Sequence, residues 1–193
     1  MIYVIGDSHV REFIGEDFQR IWIGAPTSYG LFNLNSRSQS RNKIFSAIEY
    51  IPKESSIILV TGEIDCRLHI FEQQGKMIGA IEKTVQNSLL FCKELKLMGY
   101  KVFFYNINPA GWEENIYKIE FFPTSKIRSE IYLIANRATR LLSPIYRVDI
   151  VDIFDHLVGE RGILNKEYTQ DGVHINELAS RLFLLPEIYK VIK

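Results

Sequence analysis

The sequence predicts an α/β fold in which a parallel sheet carries helices on both faces. Two observations predict it. Short apolar runs alternate along the 193 residues with stretches of helical period, with no internal repeat and no domain boundary. The run Ile57-Ile58-Leu59-Val60 also lacks apolar–polar alternation, the pattern of a strand buried on both sides. One domain covering residues 1–193 is expected, long enough to bury a sizeable core.

The first strand is Ile2-Tyr3-Val4-Ile5, too short for a helix, with Gly6 supplying the turn that follows. A short, weakly amphipathic helix is expected from His9, within residues 9–20, and Ile21-Trp22-Ile23 reads as the second strand. Residues 24–30, with two glycines and a proline, are a loop. Residues 31–42, dense in Asn, Ser, Arg and Gln, read as a polar, mobile segment. Spacing of Ile44, Ala47, Ile48 and Ile51 predicts a helix over 43–51, closed by Pro52. Beyond the strand 57–60, a stripe of Ile78, Ile81, Val85, Leu89 and Cys92 predicts a helix from about Met77 to Met98, capped by Gly99. Residues 101–106 form the fourth strand. Residues 126–143 form a helix with Ile127, Ile131, Ile134 and Leu141 inward, and 147–153 the fifth strand. The loop 168–174 leads into a last helix containing Leu178, Ala179, Leu182 and Phe183.

Bulk properties narrow the function. Twenty-three basic and 23 acidic residues give a formal net charge of zero, so no basic excess points to nucleic acid or an anionic membrane. No run of eighteen apolar residues suggests a membrane span, and no leader precedes the first strand. Cys66 and Cys92 make no disulfide framework, and a cytoplasmic protein is expected. Neither a metal nor a cofactor is expected. No spaced Cys/His/carboxylate cluster is evident, and no glycine-rich phosphate loop follows the first strand.

Two stretches carry chemistry. In Gly6-Asp7-Ser8 the serine stands where a strand turns into a helix and backbone N–H groups point outward. Those donors can hold a developing oxyanion if the hydroxyl attacks a carbonyl. A plain helix cap by Asp7 or Ser8 is the competing reading. In Asp171-Gly172-Val173-His174 the carboxylate can bond the imidazole, fix its tautomer and leave the other nitrogen to take a proton from Ser8. A helix cap beside a surface histidine competes here. The suggestive loops follow predicted strands, and ligand crevices of parallel sheets lie at the carboxyl ends of the strands.

Gly6-Asp7-Ser8 and Asp171-x-x-His174 together resemble the first and last blocks of the SGNH, or GDSL-type, hydrolases. The order of strands, helices and loops extends the resemblance over essentially the whole chain. It implies a flavodoxin-like three-layer α/β/α sandwich on a five-stranded parallel sheet, and hydrolysis or transfer of an acyl ester. It implies Ser8 as nucleophile, His174 as general base and Asp171 as its orienting partner. The oxyanion would be held by the Ser8 N–H, by a second-block glycine (Gly30 or Gly24) and by a third-block Asn side chain. The chain departs from the family at that third block, where Gly62-Glu63-Ile64-Asp65 stands for Gly-x-Asn-Asp. Ile64 has no donor, and Arg67, His69, Asn106 and Asn108 are the candidates to replace it.

Arg67 could instead hold an anionic substrate group, or pair with Glu63 or Asp65. Asp7 and Asn106 are further candidates for substrate contact. Asp65 is expected to brace the loops, and Cys66 to be a packed side chain. Trp112, Tyr117, Phe121 and Phe122 either line a substrate site or pack in the core. The expected function is a serine esterase acting on a small acyl ester, with an O-acetylated sugar or polysaccharide intermediate suggested by the resemblance alone. An O-acyltransferase on a glycan and a non-catalytic glycan-binding module are the alternatives.

Overall fold

The computed structural model describes residues 1–73, 75–112 and 123–192. Five strands form one sheet: β1 (Ile2–Gly6), β2 (Phe18–Trp22), β3 (Ser56–Val60), β4 (Lys101–Tyr105) and β5 (Asp149–Val151). Their order is β2-β1-β3-β4-β5 and every neighbouring pair is parallel. This is the doubly wound, flavodoxin-like order, whose switch point lies between β1 and β3. Gly6 pairs with Trp22 on one side and with Val60 on the other. Hence the loops after β1, β2 and β3 leave the sheet side by side.

Strand residues alternate between two buried layers, as the pleat requires. Ile5, Ile57, Leu59, Val102 and Phe104 face helices α1 (Ser40–Ile48), α2 (Met77–Leu97) and α3 (Ser125–Tyr146), which contribute Ile44, Ile81, Val85, Leu89 and Ile131. Val4, Ile58, Val60, Phe103 and Val151 face the other way, onto Val10, Phe13, Leu164, Ala179 and Leu184. There Glu177–Ala179 and a wide turn over Ser180–Leu184 continue into α4 (Leu185–Val191), which adds Ile188 to the same layer. Cys66 and Cys92 are both fully buried in the first layer. No helix among the described residues is long and apolar enough to cross a membrane.

Several elements differ from the sequence reading, each for a local reason. The second strand begins at Phe18 rather than Ile21, because Gln19 and Arg20 lie exposed on an edge strand whose composition is not apolar. The helix expected after His9 is a single 3-10 turn, Ser8–Glu12, which ends where Phe13 adopts extended backbone angles. In α3 the inward face is built from Arg128, Ile131, Tyr132, Ala135, Asn136 and Thr139, while Ile134 and Leu141 are exposed. The polar residues on that face hide its period from an apolar count. Ile78 is likewise exposed at the start of α2. Within the polar segment 31–42, the hydroxyls of Ser36, Ser38 and Ser40 form a chain, with Ser38 in contact with its neighbours at 3.0 and 2.8 Å.

Gly6 is required by closeness rather than by a turn. A methyl group at this position would lie 2.0 Å from the Val60 carbonyl oxygen, which is backbone and cannot swing aside. Gly6→Ala must therefore part β1 from β3. A loss of about 1–3 kcal/mol is expected, the range for overpacking a filled interior, read as a lower urea midpoint at unchanged slope.

Candidate active site

Ser8 opens the 3-10 turn directly after β1, so its own N–H is one of the donors that a helix start leaves without an intrahelical partner. Asp7 caps that turn, accepting the His9 N–H at 2.9 Å. Capping by Asp7 and a half-buried Ser8 at the start of the turn therefore coexist. At the far end of the chain, one Asp171 oxygen accepts the N–H groups of Val173 (2.9 Å) and His174 (2.8 Å). Its other oxygen lies 2.6 Å from Nδ1 of His174. With the Nδ1–H donated to Asp171, Nε2 is the acceptor, and it lies 2.7 Å from the Ser8 hydroxyl. Partial burial pushes the Asp171 carboxyl up. The hydrogen bonds from the His174 ring and from the two N–H groups outweigh this and bring it down to about 2. It is a carboxylate throughout the neutral range.

The loop that carries His174 rests on a neighbour absent from the sequence reading. A methyl group on Gly111 would sit 2.0 Å from the Gly172 carbonyl oxygen. Trp112 packs against Gly172 from the outside and has Lys166 Nζ 5.1 Å from its ring centre. Of the four aromatics expected after the fourth strand, Trp112 thus supports the Asp171–His174 loop. Tyr117, Phe121 and Phe122 lie outside the described residues.

The loop after β2 treats the two glycine candidates differently. Gly30 donates its N–H to the Thr27 hydroxyl at 3.1 Å, so that N–H is engaged within its own loop. Its lack of a side chain is needed for another reason: a methyl group there would collide with the hydroxyls of Ser36, Ser38 and Ser40. The N–H of Thr27 is bonded to Ser40, and those of Ser28 and Tyr29 to Asp65. Pro26 has none. Among the described residues, Gly24 and Ala25 are thus the positions of this loop whose N–H groups are not committed. Asp65 braces the loop, as expected from the sequence. Burial pushes its carboxyl up to about 6, against the pull of the Ser28 and Tyr29 N–H groups.

Other candidates are placed elsewhere. Asp7 is 1% exposed, and its carboxylate is engaged with the N–H and ring of His9. Arg67 is buried and lies 3.3 Å from Glu63, which in turn accepts the Tyr132 hydroxyl at 2.6 Å. Of the two readings for Arg67, the structure shows the ion pair. Asn106 is committed to the fold: its amide donates to Asp152 at 3.1 Å and to the Asn136 carbonyl at 3.4 Å, and its oxygen accepts the Ile107 N–H. Asn108 donates to Glu12 and to the Tyr105 hydroxyl. His69 is exposed beside Glu72. Ile64 is buried at the third-block position and offers no donor. It lines, with Ala25, Thr27, Ser38, His69 and Asn87, a cavity of about 840 Å³.

Sequence reading also missed a buried charge cluster. His9, 4% exposed, has Nδ1 2.9 Å from Asp7 and Nε2 3.9 Å from Glu12. Its ring centre is 4.7 Å from that of His174. Asp7, His9 and Glu63 place potential ligand atoms within 4.8 Å of one another, the one grouping among the described residues with such spacing. His9 pairs with Asp7 and Arg67 with Glu63, so the cluster is held together as an ion network of buried acids and bases. The signal that could have revealed it is a histidine and a glutamate three residues apart on a five-residue turn flanked by apolar side chains.

The supporting contact at Gly111 gives a direct test of the loop geometry. Gly111→Ala should displace the Asp171–His174 loop and slow labelling of Ser8 by a fluorophosphonate by about tenfold or more, with the far-ultraviolet circular dichroism spectrum retained.

No protein-family model and no curated protein matches this sequence. Solved structures do match. The chain is similar over its full length to a GDSL-like lipase from Bacteroides thetaiotaomicron, at 18% identity and a TM-score of 0.62, covering 88% of that chain. It is similar to an acetyl xylan esterase at 14% identity and a TM-score of 0.60, with both chains fully covered. An aryl esterase of M. smegmatis superposes at 15% identity and a TM-score of 0.58, over 99% of this chain and 97% of the other. Sheet order, layer arrangement and these likenesses agree: the chain has the fold of the SGNH, or GDSL-type, hydrolases.

Proposed function

We propose that this protein is a serine esterase of the SGNH type that cleaves a small acyl ester through an acyl-enzyme on Ser8. The observation that carries the reading is the 2.7 Å contact between the Ser8 hydroxyl and Nε2 of His174, with Asp171 on the opposite ring nitrogen. Ser8 attacks the ester carbonyl and His174 takes its proton. The imidazolium formed is stabilised by the Asp171 carboxylate and returns the proton to the leaving alcohol. Water activated by His174 then hydrolyses the acyl-enzyme. The Ser8 N–H and an N–H from Gly24 or Ala25 supply the oxyanion contacts.

An O-acetylated sugar is the substrate class we favour. The cavity of about 840 Å³, to which the loops after β2 and β3 contribute Ala25, Ile64 and Leu68, has room for a sugar ring. An acetyl xylan esterase also stands among the structural neighbours. A glycan hydroxyl in place of water would turn the same acyl-enzyme into an acyltransfer intermediate, which product analysis with a glycan acceptor would reveal.

Hydrolysis of p-nitrophenyl acetate by wild type and by Ser8→Ala tests the reading. Turnover should vanish in Ser8→Ala, and Asp171→Asn should lower kcat by about 10²–10⁴. Equal rates in wild type and Ser8→Ala would remove the esterase reading. Restoring a side-chain donor with Ile64→Asn should raise kcat, by no more than the about 10²–10³ that one oxyanion donor contributes.

A further inference from the structure

We propose that Glu12 and His9 form a positioning pair, a buried strut that holds the His174 loop against Ser8. The inference rests on the reading of Ser8 as nucleophile and His174 as base. Glu12 stands on the same turn as Ser8 and is 2% exposed. One of its carboxylate oxygens accepts the N–H of Ile175, the residue after His174, at 3.0 Å. Its backbone carbonyl accepts the Ser180 hydroxyl at 2.6 Å. Its second carboxylate oxygen accepts the Tyr105 hydroxyl at 2.8 Å and the Asn108 amide at 3.2 Å. One side chain therefore ties the nucleophile's turn to the base's loop and to the end of β4.

His9 supplies the compensating charge. Its ring donates to Asp7, faces Glu12 and packs against His174. Ser8 is thus bracketed in sequence by two members of the cluster, Asp7 and His9, and the His174 ring packs against the second of them. The groups facing His9 are Asp7 and Glu12 from its own turn, Glu63 from the loop after β3 and His174 from the last loop. Arg67 and Tyr132 stand behind Glu63, and Tyr105 behind Glu12. Burial pushes the Glu12 carboxyl up, and the His9 charge with the donors from Ile175 and Tyr105 pulls against it.

Titration makes the pair visible. Burial pulls the His9 imidazolium down, but Glu12, Asp7 and Glu63 outweigh it and hold it up at about 10. For a group raised in the folded state, the stabilisation is complete below its ordinary value and is lost as pH rises through the folded one. The strut is therefore intact at neutral pH and comes apart near pH 10.

Glu12→Gln is the decisive variant. It keeps the shape and one acceptor oxygen for Ile175 while removing the charge. On p-nitrophenyl acetate, kcat should fall by about 10²-fold with KM unchanged, and the alkaline limb should move to lower pH. A purely structural role would lower the melting temperature and leave kcat and the pH profile in place. ¹⁵N NMR of labelled imidazoles in the wild type should show His9 as an imidazolium that titrates near 10, whether or not the protein turns over ester. Titration of His9 near its ordinary value overturns the proposal, as does a Glu12→Gln protein with wild-type kcat and profile. Should Glu12→Gln fail to fold, a wild-type kcat that stays flat through about pH 10 overturns it. A wild type that neither hydrolyses ester nor accepts a fluorophosphonate at Ser8 removes the hydrolase reading, and the positioning role with it, even with His9 titrating near 10.

Discussion

The Ser8–His174 hydrogen bond joins residues 166 apart in the chain, and what makes it feasible is the placement of β1 inside the sheet. A strand with parallel neighbours on both sides delivers its following turn to the middle of the carboxyl rim. The loop after β2 then lies on one flank and the loop after β3 on the other. Gly6 sets how close those flanks come, since its missing side chain lets β1 approach the Val60 carbonyl. Any side chain larger than a hydrogen at that point would separate the serine from the loops beside it.

The candidate site is built in two depths. At the surface stand the hydroxyl, the imidazole and the half-exposed Asp171. Beneath them lie Asp7, His9, Glu12 and Glu63, nearly removed from water. In a low-dielectric interior each of these groups needs a partner, and the partners are drawn from the turn after β1, the loop after β3, the end of β4 and the last loop. Mutual satisfaction of buried charge thus fixes the relative placement of segments that share no other covalent or helical link. Hydroxyl chains serve the loop after β2 in a similar way, with Thr27, Ser38 and Ser40 linked around Gly30.

Much of this was legible in the sequence. Strands buried on both faces announce themselves by unbroken apolar runs, and β1, β3 and β4 were placed within a residue or two. Gly6-Asp7-Ser8 and Asp171-x-x-His174 pointed to side chains that the fold does bring together. What escaped was polar residues with buried partners. Glu12 gave no sign of its buried partner in sequence, because nothing local shows that the Ile175 N–H will close over it, whereas the Arg67–Glu63 pair lies within one helical turn and was among the readings the sequence offered. Gly30 looked like an oxyanion donor because the Thr27 hydroxyl that takes its N–H is a tertiary feature of the loop. Asn106 was misplaced for the same reason, its partners Asp152 and Asn136 being distant in the chain. The edge strand β2 was misaligned because an edge needs no apolar run.

The two cysteines have a consequence of another kind. Burial pushes both thiols far up, and carboxylates near Cys66 push it further, so neither is a thiolate under ordinary conditions. Both lie in the layer between the sheet and the long helices, where only a large opening of the molecule would expose them. The native protein therefore carries its own reporter of unfolding. A thiol-reactive dye would be blind to the folded state and to motion of the rim loops, and its rate of capture would count the excursions in which the central layer comes apart.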